Sequence, residues 1–213
     1  HNGFRESGLK RIEVETDYPK IYNYLLDYYD ESSPKAILKK DGTYQTLKDR
    51  ADQGDHWTNL RNCAFVEEFE KPKIVWIEIS DRANYAYDKQ GFFLTNSAYF
   101  ISGDNLKYLV SILNSSVADY YFFQITAKIA GGRKRYVEQI PIPVLSKTRQ
   151  TPYELLVDYV ILSKTQIDDL VFKFFEQLLD AIVFELYFSE ELKSASKEIL
   201  KHLEDLKPIT DAM

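Results

Sequence analysis

The sequence has a single cysteine, Cys63, and only three histidines, His1, His56 and His202. A lone thiol excludes an internal disulfide, and no Cys or His spacing suits a structural zinc site. Long apolar runs are also missing. The longest, such as Lys73-Ile74-Val75-Trp76-Ile77-Glu78, is interrupted by charge far short of the roughly 20 residues that span a bilayer. No secretion signal follows His1. These absences predict a soluble protein of a reducing cytoplasm with no membrane partner. The start at His1 rather than methionine predicts a piece of a longer chain.

Catalytic signatures are equally scarce. There is no Pro-Pro pair, so the Asn- or Asp-Pro-Pro-aromatic loop that holds an adenine amine for methylation is absent. No glycine-rich loop of the dinucleotide or phosphate-binding type occurs. Two acid-x-Lys strings, Glu191-Leu192-Lys193 and Asp205-Leu206-Lys207, resemble the end of a metal-dependent nuclease site but lack an upstream strand acid. A solvated helix face accounts for them. His56 and Cys63 are seven residues apart with no third group to orient them, so a surface histidine and an ordinary buried thiol are expected. No catalytic residue, cofactor site or metal site is predicted in these residues.

A net charge of −6 argues at first against nucleic acid, whose phosphates are neutralised by Lys and Arg. The distribution reverses that inference. Residues 1–149 hold 21 basic and 20 acidic side chains, whereas residues 150–213 hold 6 basic and 13 acidic. The acidity belongs to the tail, and between Lys128 and Arg149 six basic residues face one acid. Within that stretch Gly131-Gly132 precedes Arg133-Lys134-Arg135, beside Tyr136 and downstream of Tyr120 and Tyr121. Guanidinium forks suit phosphates and guanine edges, but a basic trio after two glycines is equally a solvated loop.

The spacing of apolar residues predicts a helix from Pro19 to Glu31, with proline in its first turn. A turn follows at Asp41-Gly42, and Thr43 is a candidate cap for a short helix reaching about Arg50. Lys73–Ile79 predicts a central strand buried on both faces. After Gly91, two apolar runs joined at Asn96-Ser97 predict paired or bulged strands to Ile101. Asp104 is a candidate cap for a helix through Leu113, broken at Asn114-Ser115-Ser116. Pro141 and Pro143 impose extended backbone. Thr151-Pro152-Tyr153-Glu154 resembles a capping box opening one long helix, whose stripe runs Leu156, Val160, Ile167, Val171, Phe174, Leu178, Ile182 and Leu186. Ser189 is a candidate cap for a second helix to about Leu206, pairing with the first as a hairpin. The expected fold is α+β: a small mixed sheet with packed helices in a domain at 1–149, then a helical hairpin at 150–213 that serves as spacer or docking arm.

Several strings together carry a family resemblance. They are Tyr18-Pro19-Lys20-Ile21 with Tyr24-Leu25; Trp57 with Leu60-Arg61; Phe69-Glu70-Lys71-Pro72-Lys73-Ile74; Asn96-Ser97; Tyr108-Leu109 followed by Leu113-Asn114-Ser115; and Gln139-Ile140-Pro141-Ile142-Pro143. In this order and spacing the chain resembles the TaqI-like C-terminal specificity domain of adenine-specific DNA methyltransferases and single-chain type II restriction-modification enzymes, over roughly residues 18–145. The tail from Phe175-Glu176-Gln177 to Glu185-Leu186-Tyr187-Phe188 resembles the helical region that follows this domain in large type II enzymes.

The resemblance implies a bacterial, cytoplasmic module that recognises double-stranded DNA for a methyltransferase domain of the same parent chain. The parent would use AdoMet on adenine, and Mg2+ where it also cuts DNA as an endonuclease; this fragment would hold neither. Lys71 and Lys73 are the candidate phosphate contacts, and Asn96, Arg133, Lys134 and Arg135 are candidates for phosphate or base edges. Phe69, Ile74 and Trp76 should be core, Pro141 and Pro143 should fix an exit strand, and Asn114 should bond backbone where a helix ends. The alternative is a non-catalytic protein-interaction module that docks through the helical tail.

Overall fold

Proline in a first turn and apolar side chains at helical spacing open the chain's first well-formed helix where the sequence predicts it. A computed structural model describes residues 11–60, 63, 65–77, 84–126, 137–166 and 169–209. The chain divides into two compact units, His1–Val66 and Glu67–Met213.

In the first unit a single turn, α1 (Val14–Asp17), precedes α2 (Pro19–Leu26). α2 stops five residues before the predicted Glu31, because the Asp30 carboxylate accepts the Ser32 N–H at 2.9 Å and the Ser32 hydroxyl at 2.7 Å. Such local bonds compete with the helical ladder. Gly42, at a φ of 84°, then turns the chain between β1 (Ile37–Leu38) and β2 (Tyr44–Gln45), paired antiparallel. The predicted helix from Thr43 to Arg50 does not form. Asp41 Oδ1 accepts both the Thr43 N–H at 3.0 Å and its hydroxyl at 2.7 Å, which closes a hairpin instead of capping a helix. Trp57 packs its ring against Tyr22 and Tyr29 at 5.5 and 4.9 Å, and Arg50 donates to the Trp57 and Asn59 carbonyls. Among the described residues of this unit Asn59 alone is buried.

The second unit is built on the predicted central strand. β3 (Lys73–Ile77) lies between β4 (Ala86–Asp88) and β5 (Ala98–Ser102), antiparallel to both. Ile74 and Trp76 are buried, as expected for core, and Phe69 is half-buried against Phe93 and Phe100. Of the two apolar runs after Gly91 only the second forms a strand. Residues 91–95 have no regular structure, and Gly91, at a φ of 78°, lets the chain pass within van der Waals distance of the Glu70 backbone.

α3 (Leu106–Leu113) starts one residue later than predicted, from Asn105 in the left-handed region that asparagine tolerates, and makes no side-chain cap bond. The predicted break at Asn114-Ser115-Ser116 is present: Ser115 donates to the Ile112 carbonyl at 2.7 Å and accepts the Ala118 N–H at 3.1 Å, which ends α3 and opens α4 (Ser116–Thr126).

The tail departs most from expectation. α5 (Lys147–Thr165) begins four residues before Thr151 and keeps Pro152 inside it. α6 (Asp169–Tyr187) runs back along it, with Tyr153 reaching the Ile182 carbonyl and the Tyr159 ring tilted against Phe175 at 4.9 Å. The hairpin therefore forms within the predicted single helix. A stripe of this period is buried equally well by an external partner or by folding its two halves together, and here Leu156, Val157, Leu179, Ile182 and Val183 all enter the core with α3. Ser189 opens only the six-residue α7 (Ser189–Ser194), not a helix to Leu206. Buried Glu185 ties down the chain beyond it by accepting the Ile199 and Leu200 N–H groups. Position 149/150, the boundary expected between the two domains, lies inside α5. The architecture is α+β, a small sheet with packed helices, as the sequence predicts.

Candidate nucleic-acid interface

The six candidate contact residues fare differently. Lys73 is fully buried. Strand register makes it the partner of Asp88 on β4, and its ammonium lies 2.5 Å from the Asp88 carboxylate while donating to the Phe69 carbonyl at 2.6 Å. The same carboxylate accepts the Gln90 and Phe92 N–H groups at 2.7 and 3.0 Å. Burial pushes the Asp88 carboxyl up, but Lys73 and the two backbone donors outweigh it and hold the group below the usual carboxylate range. An ammonium so committed has no access to phosphate. The expected phosphate contact at Lys73 is thereby corrected: it is the internal pin that joins β3, β4 and the loop after β4.

Lys71 is exposed and pairs with Glu68 at 2.5 Å; Glu68 also accepts the Ser102 hydroxyl. The Lys71 ammonium, and then Ser102, hold the Glu68 carboxyl below its ordinary value. Asn96 is exposed in the turn that leads into β5. Register pairs Lys73 with Ser102 and Ile77 with Ala98, so Lys71 and Asn96 flank opposite ends of the β3–β5 ladder. Four strand steps, about 13 Å, separate those ends. Arg133, Lys134 and Arg135 lie outside the described residues.

The anchors of the segment that carries those three cations are well defined. On its N-terminal side Phe122 of α4 is buried, and on its C-terminal side Val137 and Ile140 are buried. Beyond Ile140 the chain is extended, as Pro141 and Pro143 predict, and two tyrosines hold it: Tyr187 donates to the Pro141 carbonyl at 2.5 Å and Tyr108 to the Pro143 carbonyl at 2.7 Å. Burial pushes each phenol up to about 12. Gln150 adds a bond to the Leu145 carbonyl. Asn114 performs the backbone role expected of it across 29 residues, accepting the Tyr85 N–H at 2.9 Å and donating to the Tyr85 carbonyl at 2.8 Å. The family strings thus fall on the joints of a frame that holds loops in place, which leaves the loops free to carry contacts.

Elsewhere the sequence had less to offer. Glu191 and Lys193 are exposed on α7, in keeping with a solvated face. His56 bonds Thr58 at 2.8 Å beside Trp57, and Cys63 is a half-buried free thiol. No group of three His, Cys, Asp or Glu among the described residues is placed to hold a metal ion, and no described helix is long and apolar enough to cross a membrane. The feature that composition did not reveal is in the first unit: every residue from Ile37 to Gln45 is exposed, three large apolar side chains included. An apolar stretch that reads like any strand gives no local sign that neither face will be covered.

Frame, joints and exposed loops together make a scaffold module that presents loops for contact. The model of the TaqI-like C-terminal specificity domain matches residues 10–142, well over half of the chain, and the chain belongs to that family. It is thus a DNA-specificity domain of the methyltransferase type used in restriction-modification systems.

Proposed function

We propose that the chain reads a specific duplex sequence for an adenine-methylating domain of the same parent protein. The observation that carries this reading is the family match at residues 10–142, which takes in the sheet, α3, α4 and the pinned Pro141 segment. The parent would bring AdoMet and adenine chemistry, with Mg2+-dependent cleavage in a bacterial cytoplasm if it is also a restriction enzyme. Residues 1–149 would supply recognition and residues 150–213 the helical support. Lys71, Arg133, Lys134 and Arg135 are suited to phosphates, and Asn96 to a base edge or phosphate.

The test is an anisotropy titration of random-sequence duplex at two salt concentrations. Binding should weaken with salt at a slope of about −0.9 per phosphate contacted, and Arg133→Ala with Arg135→Ala should reduce that slope by about two. Absence of binding even at low salt would overturn the proposal and favour a second reading, docking on protein through the tail. The exposed Phe174, Phe184 and Phe188 on and just after α6 favour that alternative.

A further inference from the structure

We propose that the β1–β2 ribbon is a DNA probe that enters the major groove, a deepening that rests on the reading above. Three observations lead there. The first is exposure: Ile37 through Gln45 is uncovered at all nine positions, and Ile37, Leu38 and Tyr44 are exposed by 50%, 60% and 41%. A two-stranded ribbon with apolar residues open on both faces is marginal in water, which favours a partner that takes them up.

The second is charge. From Lys35 to Arg50 there are five basic residues and two acids, Asp41 and Asp49. At the tip the Lys39 and Lys40 ammonium groups form no hydrogen bond or ion pair among the described residues, while the only tip carboxylate, Asp41, is spent on Thr43. The tip is left as a cationic point, suited to phosphate and poorly suited to the core of a protein interface, where lysine is depleted.

The third is shape and chemistry. The Lys39 N–H bonds the Thr43 carbonyl at 2.8 Å, which extends the ladder to the turn. From Ile37 to Lys39 the paired ladder is two steps, about 7 Å, before the turn at residues 40–42. The major groove, about 12 Å wide and about 8.5 Å deep, admits a two-stranded ribbon, and this one lies along it with one face toward the base edges. Pairing of Ile37 with Gln45 and of Lys39 with Thr43 sets all four on one face. An amide suited to adenine, a hydroxyl, a cation suited to guanine and an alkyl group suited to the thymine methyl form a base-reading set. Lys40 at the turn is the phosphate contact.

The full 213-residue chain would first enrich duplexes from a random-sequence library, and the enriched duplex would then be titrated. Lys39→Glu with Lys40→Glu should lower affinity at least tenfold, shrink the salt slope by about one through Lys40 and relax discrimination through Lys39. Gln45→Ala should reduce discrimination between enriched and scrambled duplex with the slope unchanged. Both variants alter exposed positions, and circular dichroism checks that they fold. If wild type enriches a duplex that both variants bind as tightly and selectively, the ribbon proposal falls and DNA recognition stands. If wild type enriches nothing, both fall. For the groove, Lys40→Cys in a Cys63→Ser background would carry tethered iron-EDTA: cuts offset toward the 5′ side on each strand mark the major groove, whereas 3′ offsets or no cuts overturn the assignment.

Discussion

The two units of this chain are built to different standards. All eighteen buried hydrophobic side chains among the described residues lie in the second unit, from Ile74 to Val183, while the first unit has none. The second also contains the closed polar joints: Lys73 with Asp88, Asn114 with Tyr85, and two tyrosines on proline carbonyls. The first relies on an aromatic cluster around Trp57, an Arg11–Asp55 pair and local turns. The contrast separates what holds shape from what is available for contact. A scaffold must bury its side chains to be rigid, whereas a reading surface must keep its side chains accessible until the ligand arrives.

Three measurements can break or sharpen that contrast. The largest effect belongs to Lys73→Ala, which strands a buried carboxylate: urea denaturation should show a loss of about 3–5 kcal/mol. A loss below about 1 kcal/mol would mean that the pin is not structural. Next comes the pair Ile182→Ala and Ile37→Ala. The first leaves a cavity at a fully buried site and should cost about 2–5 kcal/mol, whereas the second, half exposed, should change stability by no more than about 0.5 kcal/mol. Equal losses at the two sites would erase the distinction between scaffold and surface.

The smallest effect is pH-dependent and tests the pinned proline segment. Tyr108 and Tyr187 ionise near 12 in the folded chain, against about 10 when unfolded. A raised folded value means the neutral phenol is favoured by folding, so its contribution is fully present below about pH 10 and is lost as pH rises toward 12. Tyr187→Phe should cost about 1 kcal/mol at neutral pH. It should also flatten the fall in melting temperature between pH 10 and 12. A variant with an unchanged alkaline profile would remove Tyr187 from the joint.

Elements with a strong local cause were legible in advance. Proline at position 19, the Asp41-Gly42 turn, the β-branched and aromatic run at 73–77, and the serine that separates α3 from α4 each act within a few residues. Asn114 was also legible as a backbone-bonding residue, though not its partner, because Tyr85 is distant in sequence. The candidate site was harder to read. Lys71 and Lys73 look alike in the string Glu70-Lys71-Pro72-Lys73, and only the register that sets Asp88 opposite Lys73 decides that one is a pin and the other a surface cation.

By itself, then, the sequence determined the family, through strings that mark the joints of its frame, and the placement of elements whose start or stop is set by neighbouring residues. The tertiary structure alone decided three further matters. It folded the tail stripe into two paired helices, α5 and α6, buried one lysine of a pair, and left the 37–45 ribbon uncovered on both faces. Each depends on which distant surface a residue meets, and burial and strand pairing, unlike turns and caps, are settled only when remote parts of the chain come together.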